Sequence, residues 1–61
     1  MPRNSDYIIE FIPQGRFVKV TAVDPTTGTE AVIVGDVRES REVLSKNAVN
    51  KLIYLLNKAS C

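Results

Sequence analysis

The chain has 61 residues, 44 % hydrophobic and 25 % charged, with a net charge of +1; this is the composition of one small globular domain, not of a disordered chain. So small a net charge excludes general electrostatic capture of nucleic acid or acidic membranes, and no apolar run approaches the ~18 residues that read as a membrane span. Histidine is absent and the single cysteine is the last residue, Cys61, so an internal disulfide, the usual zinc ligand sets and any Ser-His or Cys-His nucleophile pair are all out of reach.

Residues 1–6 are polar and read as a flexible lead-in without the apolar core of a signal peptide, so a cytoplasmic setting is expected. Residues 7–12 are rich in β-branched and aromatic side chains and read as a first strand. Pro13-Gln14-Gly15-Arg16 supplies a turn, with Pro13 presetting φ and Gly15 accepting a positive φ. Residues 17–23 form the second strand. Asp24-Pro25-Thr26-Thr27-Gly28-Thr29 is the clearest turn in the chain: Asp24 can bond back to the backbone, Pro25 opens a type I turn, and Gly28 takes a left-handed position. A third strand follows over 30–34 and ends at Gly35. Asp36 and Glu39 have capping-box spacing, and Ser40 offers a second N-cap. The helix is expected over 40–58, with Glu42 and Lys58 matching its dipole. The whole chain, 1–61, is thus one domain: a β-meander over 7–35, then the helix with its cap region over 36–59.

Turn length sets the strand register. If both turns hold four residues, Ile12 faces Phe17, Asp24 faces Thr29, and Glu10 sits opposite Lys19 as a cross-strand charge pair. One sheet face then collects Tyr7, Ile9, Phe11, Val18, Val20, Ala22, Ala31 and Ile33, apolar but for one hydroxyl, and should carry the helix. The other face carries Ile8, Ile12, Phe17, Val23, Val32 and Val34 among Glu10, Lys19, Thr21 and Glu30. On the helix, Leu44, Ala48, Val49, Leu52, Ile53, Leu55, Leu56 and Ala59 fill an arc of about 180°, wider than the ~100° stripe one sheet requires. Val43 and Tyr54 fall together on the polar side.

No constellation of acid, base or nucleophile emerges. The carboxylates fall beside turns, on the outer sheet face or at the helix start, where solubility and capping account for them. Gly15, Gly28 and Gly35 fit no phosphate-binding pattern. No catalytic residue, cofactor or metal is therefore expected, and Cys61 is given no role. Two surfaces are left to weigh. Ile8, Ile12, Phe17, Val32 and Val34 on the outer sheet face, with Tyr54 on the helix, form a candidate interaction surface, because contiguous exposed apolar patches mark interfaces. Self-association as a homodimer is the simplest use of it, and a small domain without staples gains most from association. The alternative is a nucleic-acid contact through Lys46, Lys51 and Lys58 with the neighbouring Asn47, Asn50, Asn57 and Tyr54. The lysines are spread out and balanced by acidic groups, which favours an ordinary solvated helix face.

The segment from Phe17 through Glu30, the Ile33-Val34-Gly35 strand end and Lys51-Leu52-Ile53-Tyr54-Leu55-Leu56 together resemble a family of short uncharacterised bacterial proteins, known from proteobacteria. The resemblance implies a domain of unknown function and transfers no catalytic or binding residue. The expected fold class is α+β: a three-stranded antiparallel meander, order 1-2-3, with one C-terminal amphipathic helix on one face.

Overall fold

The computed structural model describes residues 7–60, with side chains described as far as Lys58; the expected lead-in over 1–6 and Cys61 lie outside them. Strands β1 (Ile8–Gln14), β2 (Phe17–Val23) and β3 (Glu30–Asp36) form an antiparallel sheet in the order β1-β2-β3, and helix α1 (Arg41–Ser60) follows. The α+β meander with one helix on one face is therefore the fold. The helix lies over β2 and β3, leaving the inner side of β1 only partly roofed.

The first hairpin is tighter than its turn residues suggested. Gln14 pairs with Phe17 and Ile12 with Lys19, so only Gly15 and Arg16 lie between the strands. Gly15 has φ 65° and Arg16 has no positive φ, which marks a type II′ turn, the two-residue connection that matches strand twist. Pro13 stays inside the ladder opposite Val18, which an edge strand tolerates because the missing N–H points away from its partner. The expected Glu10–Lys19 pair does not form: Glu10 faces Thr21. The slip is two residues, so every side chain keeps its expected face. The second hairpin has the expected register, with Val23 opposite Glu30. There Asp24 accepts from the Thr26 amide (2.9 Å) and the Thr27 hydroxyl (3.2 Å), and Gly28 adopts φ 77°.

The inner sheet face and the helix make the core. Val18, Val20, Ala22 and Ala31 are buried against Leu44, Ala48 and Leu52, with Tyr7, Ile9, Phe11 and Ile33 packed around them. Small residues set the depth of this packing. Ala22 pairs with Ala31, and Gly35 pairs with Val18. A Cβ on Gly35 would collide with the Leu44 Cδ2 methyl, so the absent side chain at 35 is what lets the first turn of α1 seat on the sheet. Rather than ending β3, Gly35 lies inside it.

The chain reverses from β3 into α1 through two interlocked turns. The Glu39 amide donates to the Asp36 carbonyl (2.9 Å), and the Asp36 amide donates to Glu39 Oε1 (3.3 Å). This reciprocity resembles a capping box, yet the helix starts later, at Arg41. The Ser40 hydroxyl accepts from the Val43 amide at 3.1 Å, and its carbonyl accepts from Leu44. Ser40 is thus the N-cap, worth about 1 kcal/mol. Among the described residues no helix is long and apolar enough to cross a membrane.

Candidate functional site

The register turns the outer sheet face into a grid. Its rows run Ile8–Val23–Glu30, Glu10–Thr21–Val32, Ile12–Lys19–Val34 and Gln14–Phe17–Asp36. The helix occupies the other face, so this grid is open. Phe17 is 58 % exposed, Val34 67 % and Ile8 57 %, and Ile12 and Val32 are exposed as well. Val23, expected to be exposed with them, is half-buried, and Thr21 is buried outright. Thr21 is short and sits on the central strand between Glu10 and Val32, so the longer side chains around it shield it. The apolar surface accordingly runs around the rim of the grid rather than through its centre.

Tyr54 is 62 % exposed but belongs to a different surface. It lies on the solvent side of α1, where it follows Val43 by three helical turns, and the body of the molecule separates it from the grid. The three helix lysines are likewise not gathered. Lys46 borders a groove of about 370 Å³ between β1 and α1, over Ile9, Val49 and Ile53. Lys51 leaves the opposite flank and donates to the Val32 carbonyl on the β3 edge at 2.7 Å. Lys58 follows Lys51 by seven residues and so shares its stripe. A nucleic-acid contact through all three would have to wrap around the helix, and it would compete with the Lys51–Val32 bond.

One cluster escaped the sequence reading. Arg16 and Arg38 line a hollow of about 270 Å³ with Asp36 and Val37 at one end of the sheet. The Val37 amide donates to the Arg16 carbonyl (3.0 Å), adding a rung beyond β3. Arg38 grips Asp36 with Nε and Nη2 (3.2 and 3.1 Å), and its own amide donates to the same carboxylate at 2.8 Å. These bonds, the side-chain one first, hold the Asp36 carboxyl below the usual carboxylate range. The signal was present in the second hairpin's register, which extends to place Arg16 beside Val37. With the carboxylate already satisfied by a bidentate arginine, the cluster is a structural clamp on the β3–α1 turn. Arg41 lies over the Phe11 ring, 5.1 Å from its centroid, and shields that aromatic on the β1 side.

Among the described residues, no three His, Cys, Asp or Glu side chains gather in a metal-binding arrangement, and no described titratable group is buried among polar partners in a cleft. What the arrangement offers is surface: an apolar rim on the open sheet face, with Glu10, Lys19 and Glu30 among it. Neither the curated proteins nor the solved structures contain a match to this chain. A family model described as a domain of unknown function (DUF6898) matches residues 4–59, and the chain belongs to that family.

Proposed function

We propose that this domain is a non-enzymatic, cytoplasmic interaction module that self-associates through the outer face of its sheet. The observation that carries the reading is the exposure of large apolar side chains on one face of the sheet. Phe17, Val34, Ile8, Ile12 and Val32 stand exposed on the face that no element of the described chain covers. On the face directed at the helix the large side chains, Tyr7, Ile9, Phe11 and Ile33, are instead packed against the buried core. Scattered exposed apolar residues are ordinary, but a set sharing one small sheet face is an interface pattern. The charges on that face suit a symmetric partner: Lys19 on the centre strand and Glu10, Glu30 and Asp36 towards the margins allow opposite charges to meet when two copies stack.

The test is the solution mass of the wild type and of a Phe17→Lys/Val34→Glu variant across a concentration series. The new lysine faces Asp36 and the new glutamate faces Lys19, so both charges find partners within the monomer and the fold is retained. The mass of the variant should fall below that of the wild type at equal concentration. An unchanged mass would overturn the outer-face reading.

A further inference from the structure

We propose that two copies of this chain also pair along the free edges of β1, antiparallel, with Ile9 opposite Ile9, joining their sheets into one continuous sheet. The inference rests on the reading of the domain as self-associating and adds an edge contact to the face contact. The Asp24 amide donates to the Thr29 carbonyl, and the Val37 amide donates to the Arg16 carbonyl. Even-numbered residues of β2 therefore turn their N–H and C=O groups towards β3, and odd-numbered ones turn theirs towards β1. It follows from the pairing that Glu30, Val32, Val34 and Asp36 present their backbone groups at the outer edge of β3. Tyr7, Ile9 and Phe11 present theirs at the outer edge of β1.

The two edges are treated differently. On β3 the Val32 carbonyl is taken by the Lys51 ammonium and the Asp36 amide by the Glu39 carboxylate. Side chains thus occupy that edge at two positions, a common defence against strand addition. On β1 no described group bonds to the outward N–H and C=O of Ile9 or Phe11, and β1 has a single neighbour in the sheet. Edge pairing is consequently directed to β1.

Charge and proline then select the register. Only registers that set odd residues opposite odd residues satisfy the outward groups. Setting Ile9 opposite Phe11 would also place Glu10 against Glu10 of the second copy, a like-charge pair. Setting Phe11 opposite Phe11 would bring Pro13, which has no N–H, into the ladder twice. With Ile9 opposite itself, Tyr7 meets Phe11, Glu10 meets Ile8, and Pro13 lies beyond the paired segment. This two-fold arrangement forms about six inter-chain hydrogen bonds, two for each bonded pair. It also lays the half-buried Tyr7 and Phe11 rings beside each other on the helix side of the sheet. A contact this short buries less than the ~800 Å² per partner of standard complexes, so it is reversible and concentration-dependent.

The experiment is residue-resolved amide hydrogen exchange by NMR on the Phe17→Lys/Val34→Glu variant, in which the face contact is removed, at several concentrations. The Ile9 and Phe11 amides should exchange about tenfold or more slowly as concentration rises, while the outward amide at position 34 of β3 stays fast. Ile9→Pro, which deletes one outward N–H and no bond to β2, should abolish that slowing. Ile8→Lys, which faces Glu10 of the second copy, should tighten the residual association about two- to fivefold. A variant that stays monomeric at every concentration would overturn the edge contact and leave the face reading intact. So would a dimer with unprotected Ile9 and Phe11 amides, or protection independent of concentration, which would mean that the edge is covered within the chain. Unchanged or weaker association of Ile8→Lys would refute the register. A wild type that is itself monomeric throughout would refute both proposals.

Discussion

The two faces of the sheet differ in what covers their apolar side chains. The helix-facing side is packed with side chains chosen for closeness: Ala22 against Ala31, and Gly35 beneath Leu44. Its larger side chains, Tyr7, Ile9, Phe11 and Ile33, pack around that core, whereas on the outer side Phe17, Ile8, Ile12 and Val34 stand exposed. An apolar side chain that is fully buried stabilises by about 1.5–3 kcal/mol relative to one left exposed, a gain the outer-face residues do not realise within the described chain. The inner face thus answers to the close approach of α1, and the outer face, left uncovered by the described chain, is the one the proposed self-association would use.

Substitutions break the comparison to different degrees. The largest effect belongs to Leu52, which α1 buries fully against the sheet. Leu52→Ala should cost about 2–5 kcal/mol, enough to unfold much of so small a domain, as urea denaturation followed by circular dichroism will show. Gly35→Ala comes next. The new methyl meets Leu44 and should cost about 1–3 kcal/mol through overpacking; pairing it with Leu44→Ala should recover part of the loss, a non-additivity that a double-mutant cycle measures. Ser40→Ala removes the N-cap acceptor of the Val43 amide and should lower stability by about 1 kcal/mol. On the outer face the order reverses. Phe17→Lys and Val34→Glu should change monomer stability by no more than about 0.5 kcal/mol, while reducing self-association far more than any inner-face change that leaves the fold intact.

The smallest effect is electrostatic. Arg38 holds the Asp36 carboxyl below its usual range, so the folded-state value lies beneath that of the unfolded chain. The contribution is complete above the unfolded carboxylate value of about 3.9 and is lost as pH falls through the lower folded value. Asp36→Asn should remove that part of the acid sensitivity with little change at neutral pH, because the pair is exposed to solvent.

The fold was legible because several independent signals agree. Glycine and proline mark both turns, alternation assigns the faces, and the helix follows the third strand after a run of capping residues. The register slip of β1 was not legible. Pro13 reads as a turn residue, and only the sheet's edge makes it acceptable within a strand. Because the slip is an even number, the error erased one charge pair, Glu10–Lys19, and left the core and the exposed rim untouched. The candidate surface was legible residue by residue in Ile8, Ile12, Phe17, Val32 and Val34, since side-chain alternation alone places them. Helical spacing already places Tyr54 on the polar side of the helix, away from the sheet, and sets Lys46 and Lys51 about 140° apart; which strand each flank faces was not legible. The groove beside β1 and the bond from Lys51 to Val32 depend on where the helix sits across the strands. The helix pattern names the face that is buried, not the strands it covers.

Solution mass tests the central claim most directly, measured by light scattering or sedimentation equilibrium over a wide concentration range for the wild type and for Phe17→Lys/Val34→Glu. The account predicts a wild type heavier than one chain whose mass grows with concentration, and a folded variant that is lighter at every concentration where the wild type associates. A wild type that stays at the mass of one chain throughout, or a variant that associates as the wild type does, would contradict it.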